Sequence, residues 1–138
     1  MIFEKILVPY DNSANAKLAL KKALMLASLT KSTVTVVHVI AYHKAMAKIV
    51  EPYRETVIAH VKKFLVDVKK DALKKNIKIE EKILYGNPSD EILSLMKKRK
   101  FDLVVMGKRG TTKITGPTLG SVSNALVQHS KVPVLVIT

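Results

Sequence analysis

Five short apolar blocks, at residues 3–8, 33–40, 77–84, 101–106 and 132–137, alternate with longer stretches whose apolar residues mostly repeat at helical spacing. That alternation leaves few folds open. The blocks are rich in Val and Ile and most run nearly unbroken, the mark of strands covered on both faces, and parallel strands so buried are joined by crossover helices. Ile6-Leu7-Val8 stops at Pro9, and Thr33 to Ile40 is bounded by polar residues. Between them Ser13 is placed to cap a helix with the stripe Ala16, Ala19, Leu20, Ala23, Leu24 and Ala27, while lysines lie largely off that stripe. Residues 41–52 predict a broken segment, because Pro52 pushes Glu51 out of the helical region. Residues 53–75 predict a long helix outlined by Val57, Val61, Phe64, Leu65, Val68 and Leu73. Ser89 reads as the cap of a helix that starts with Asp90 and Glu91 and closes with Lys97, Lys98, Arg99 and Lys100, charges that suit both ends of its dipole. A loop over 107–119 and a helix from Ser121 to Ser130 precede the last strand. These elements imply a single α/β domain over residues 1–138 around a mostly parallel sheet.

Composition narrows the function. A chain of 138 residues with 48% hydrophobic and 25% charged residues suits one folded domain rather than a disordered one. It holds no cysteine, which excludes disulfide scaffolds and thiolate chemistry. Its longest apolar runs fall far below the ~20 residues that cross a bilayer, and Glu4 and Pro9 interrupt the first ten. Neither a membrane span nor a signal peptide is expected, and the expected compartment is the cytoplasm. The unusual quantity is charge: 24 Lys and Arg against 11 Asp and Glu leave +13, a field that attracts nucleotides, nucleic acids and acidic membranes alike.

Open parallel sheets bind ligands at the carboxyl ends of their strands, so the loops leaving those ends matter most. The first strand leads into Pro9-Tyr10-Asp11-Asn12-Ser13, with no glycine and hence no dinucleotide fingerprint, and no P-loop motif occurs anywhere. The glycines gather after the fourth strand instead: Gly107, Gly110, nine further residues, then Gly120-Ser121 opening a helix. Ser121 and Ser123 stand at a helix N-terminus, whose free N–H groups attract phosphate, and Lys108, Arg109 and Lys113 add charge. Glycine-rich loops and serine caps are also ordinary connectors, and these residues by themselves leave both readings open.

The whole pattern resembles the universal stress protein family, on Ile6-Leu7-Val8-Pro9-Tyr10-Asp11, His38-Val39-Ile40, Gly86-Asn87-Pro88, Asp102 to Gly107 and above all Gly107-x2-Gly110-x9-Gly120-Ser121. The resemblance implies an adenine nucleotide alpha hydrolase-like fold, an open five-stranded parallel sheet in the order 3-2-1-4-5 with helices on both faces. It further implies an ATP-binding member, because that glycine spacing marks the binders. Carried over by position, it puts Pro9 and Asp11 at the nucleoside, Val39 on the adenine, and Met106 and Gly107 around base and sugar. Arg109, Gly110, Gly120, Ser121, Val122 and Ser123 would hold the phosphates, with any Mg²⁺ or Mn²⁺ carried by the ligand. Lys108 and Gly116-Pro117 depart from the family's usual residues at the phosphate end.

The remaining candidates read more plainly. His38, His43, His60 and His129 lack metal-site spacing and are read as structural or surface residues. With Asp11 as the one acid that the motif puts in the cleft, a general base for hydrolysis is not visible, so a binding or sensor module with at most weak ATPase activity is expected. The alternative, a nucleic-acid-associated stress factor, rests on charge, yet only seven Phe and Tyr are present to stack bases and the paired lysines at 62/63, 69/70 and 74/75 read as a solvated helix face. The uncharged last strand, Val132 to Ile137, would be an exposed pairing edge, which predicts a homodimer through it unless Pro133 and a neighbouring helix protect it.

Overall fold

The structure, a computed structural model, describes residues 3–110 and 118–138. β1 (Lys5–Pro9) leads to α1 (Ala14–Thr30), and β2 (Thr33–Ala41) comes next. A short α2 (Ala47–Val50), framed by 3-10 turns at Lys44–Met46 and Glu51–Tyr53, runs into α3 (Arg54–Lys74). Then come β3 (Ile79–Gly86), α4 (Pro88–Lys98), β4 (Leu103–Gly107), α5 (Ser121–His129) and β5 (Val134–Ile137). The strands are all parallel and stand in the order β3-β2-β1-β4-β5.

Alternate residues of each strand serve different helix layers. Ile6, Val8, Val34, Val36, Leu103 and Val105 pack beneath α1 and α3. Leu7, Val37, Val104 and Met106 pack beneath α4 and α5 with Ile92, Leu95 and Leu126. All six residues of the expected α1 stripe are buried, and the Ser13 hydroxyl accepts from the Ala16 amide at 3.1 Å. On α3 the buried line is Val61, Leu65, Val68 and Ala72, whereas Leu73 is 79% exposed. At about 100° per residue, Leu73 has already rotated off the face that Ala72 continues. The cap of α4 is Asn87 rather than Ser89: its Oδ1 accepts from the Asp90 amide, and Pro88 supplies the fixed φ of the first turn. β5 begins at Val134, two residues later than the sequence predicts.

Two polar clasps hold the sheet's ends in register. At the amino ends, Asp102 Oδ2 accepts from the amides of Glu4 and Lys5, each at 3.0 Å, and both hydrogen bonds pull its carboxyl below the usual range. At the carboxyl ends, the Tyr10 amide donates to the Val37 carbonyl at 2.8 Å and the Lys108 amide to the Ile137 carbonyl at 2.9 Å. No helix among the described residues is long and apolar enough to cross a membrane.

Candidate functional site

At the carboxyl edge of the sheet the loops after β1, β2 and β4 and the start of α5 enclose a cavity of about 780 Å³. All eleven residues expected at a ligand line it. Pro9 and Asp11 come from the β1 loop, Val39 from β2, and Met106, Gly107, Arg109 and Gly110 from β4 and its continuation. Gly120, Ser121, Val122 and Ser123 come from the opening of α5. Lys108 is half-buried beside this group, and Lys113 lies outside the described residues.

Local geometry gives each glycine of the motif its own task. A Cβ on Gly107 would lie 2.7 Å from Asn15 Cβ, so this glycine lets β4 end against α1. One on Gly110 would collide with Asp11 Oδ2. One on Gly120 would press on Arg109 Cα at 3.3 Å and the Lys108 carbonyl at 3.5 Å. The motif therefore packs the loop against α1, the β1 loop and itself.

Ser123 is 2% exposed, and its hydroxyl donates to the Lys108 carbonyl at 2.6 Å and the Gly120 carbonyl at 3.1 Å. The Gly120 amide donates to the same Lys108 carbonyl at 3.0 Å, so that one oxygen ties the loop to α5. The hydroxyl is thus occupied by the backbone, while the amides of Ser121, Val122 and Ser123 are first-turn donors that no carbonyl of their own helix can take. The partial positive end of α5 faces the cavity. Arg109 Nε donates to the Thr118 carbonyl at 3.1 Å, and Asp11 Oδ1 accepts from the Ser13 amide at 3.0 Å.

Another wall is aromatic, and although Tyr10 and His38 fall within the family's motifs, nothing in the sequence joins them to His60 and Phe64. Phe64 packs edge-on to His38 at 5.1 Å and His60 at 6.2 Å, with Tyr10 tilted against it at 5.9 Å, and all four line the cavity. His38 Nδ1 donates to the Tyr10 carbonyl at 2.8 Å, which fixes the tautomer and ties β2 to the β1 loop. Burial, reinforced by the carboxylates of Asp71, Asp67 and Asp11, raises the Tyr10 phenol. Val57, His60 and Phe64 share one face of α3, a spacing legible in the sequence, but only the folded topology shows that this face reaches the β1 loop.

A profile of the universal stress protein family matches residues 2–138. The chain belongs to the universal stress protein family. Among its relatives in the family, Universal stress protein MJ0531 of Methanocaldococcus jannaschii is 31% identical over 140 residues, covering 99% of this chain and 82% of that protein. The solved universal stress protein UspA of Lactobacillus plantarum superposes with a TM-score of 0.89 at 26% identity, over 99% of this chain and 98% of that one. A universal stress protein solved in complex with cAMP superposes with a TM-score of 0.67 at 26% identity, over 98% and 96%. The fold of this universal stress protein is accordingly the adenine nucleotide alpha hydrolase-like one.

Proposed function

We propose that the chain is an ATP-binding universal stress protein, a nucleotide-dependent stress-response or sensor module of the cytoplasm. The observation that carries this reading is the meeting of an apolar slot, a carboxylate and a helix N-terminus in one cavity. Val39, Met106 and Pro9 offer apolar surface to a base, and Asp11 offers a carboxylate to ribose hydroxyls. The amides of Ser121, Val122 and Ser123, with Arg109 and the backbone at Gly107, Gly110 and Gly120, suit a chain of phosphates. The relative solved in complex with cAMP supports an adenine nucleotide as the ligand.

Binding is favoured over rapid turnover. Asp11 is the one carboxylate lining the cavity among the described residues, and it also closes the turn onto Ser13. Mg²⁺ or Mn²⁺ would enter on the ligand's phosphates. The uncharged edge strand β5, with Leu135 44% exposed, supports a homodimer formed through it. Isothermal titration with ATP, AMP and cAMP, beside mass analysis of nucleotide retained on purification, tests the reading. Saturable binding of ATP is expected, and no adenine nucleotide bound at millimolar concentration would overturn it.

A further inference from the structure

A second cavity lies at the opposite, amino end of the sheet. α4 ends at Lys98 and leaves the start of β1, β2 and β3 uncovered on its side, where about 420 Å³ is enclosed by Lys5, Thr33, Thr35, Lys78, Glu80 and Arg99. Three cations and two hydroxyls converge there on a single acid. That acid is already engaged: Arg99 donates to both Glu80 oxygens at 2.9 and 2.8 Å, an arrangement that holds the carboxyl below its usual range. Lys82 stands 4.0 Å from the same carboxylate. Lys5 and Lys78 make no ion pair among the described residues.

The hydroxyl of Thr35 is the more telling group. Thr35 is paired across the sheet with Glu80 and lines this cavity, and its hydroxyl makes no hydrogen bond among the described residues, which leaves it available to whatever fills the cavity. The oxygen is open to the cavity rather than sealed in the core, and Val fills positions 34, 36, 37 and 39 of the same strand. A donor facing a cationic hollow suits an anion rich in acceptor oxygens. We propose that this cavity binds a small multivalent oxyanion of the phosphate class, separately from the nucleotide cavity at the other end of the strands.

The test is an amide NMR titration of the full chain with inorganic pyrophosphate at constant ionic strength, on the native protein, Thr35→Val and the Lys5→Gln/Lys78→Gln double variant. Thr35→Val keeps the side-chain volume and removes the hydroxyl alone, and each spectrum reports whether its variant is folded. Saturable shifts are expected at Thr33, Thr35, Lys78 and Glu80, about tenfold weaker binding in Thr35→Val, and loss of saturation in the double variant. Equal shifts with chloride, equal affinity in Thr35→Val, or shifts confined to 107–110 and 120–123 would each overturn the site. Displacement of pyrophosphate by a single-stranded oligonucleotide, with a steep salt dependence, would overturn it in favour of a polynucleotide surface. ATP titration monitored at 120–123 is independent of all these outcomes, so this site and the nucleotide site can fail separately.

Discussion

The carboxylate of Asp11 occupies the space in which a side chain at Gly110 would begin. The two residues come from different loops, and each fixes how near the other can stand. Gly110→Ala must therefore displace Asp11 from the position proposed for ribose recognition. Titration calorimetry should give ATP binding about tenfold weaker, the size of one lost hydrogen bond to a charged group, with an unchanged circular dichroism spectrum. Native affinity in this variant would detach Asp11 from the site.

Gly107 behaves differently, because its neighbour is backbone. A Cβ there would lie 2.9 Å from the carbonyl carbon of Asn15, so α1 must move away from β4. Gly107→Ala is expected to cost about 1–3 kcal/mol in overpacking, read as a lower urea midpoint with an unchanged slope.

Removing the Ser123 hydroxyl deletes its bonds to the carbonyls of Lys108 and Gly120. Ser123→Ala should lose about 1 kcal/mol of stability and also weaken ATP binding, since the tie between loop and helix is loosened. Ser121→Ala, at an exposed position, should leave stability within about 0.5 kcal/mol of native. Thermal melts of the two variants side by side make the comparison.

Acid should unfold the protein partly through Asp102. Amides of Lys5 and Glu4 lower its folded pKa, so its contribution is complete above the unfolded carboxylate value of about 3.9 and disappears as pH falls through the lower folded value. Glu80, lowered first by its hydrogen bonds to Arg99, acts in the same sense, though its exposure and solvent screening reduce the effect. Urea midpoints measured from pH 7 to 3 should fall less steeply for Asp102→Asn than for the native chain. Equal slopes would assign the acid sensitivity to other groups.

The proposed dimer predicts that Leu135→Asp, a charge on the open edge of β5, gives a monomer by sedimentation velocity while ATP affinity is retained. A dimer that persists would move the interface elsewhere.

Much of this molecule is legible in its sequence, for particular reasons. The α1 stripe can be read because alanine and leucine recur on one face between lysines, and the eleven expected cavity residues follow from the resemblance to the family, carried over by position. Leu73 misleads because hydrophobicity without phase does not fix a face, and small Ala72 fills the core position instead. Ser89 resembles a cap because it precedes two acids, but Asn87 stands one residue before a proline suited to the first turn. The wall of Tyr10, His38, His60 and Phe64 is hidden for another cause. Its members come from three parts of the chain distant in sequence, and no spacing rule joins them.

β1 is synthesised first, yet it is the central strand, and the clasp between Lys5 and Asp102 spans 97 residues. A growing chain can pair β1 with β2 early, but its other edge stays open until Leu103 and its neighbours have emerged. Contacts of such long range close late and slowly. The cavity at the carboxyl edge of the sheet needs both edges of β1 joined, so it comes into being only in the last act of folding. A ligand there rewards the finished sheet and gives no shelter to the half-made one.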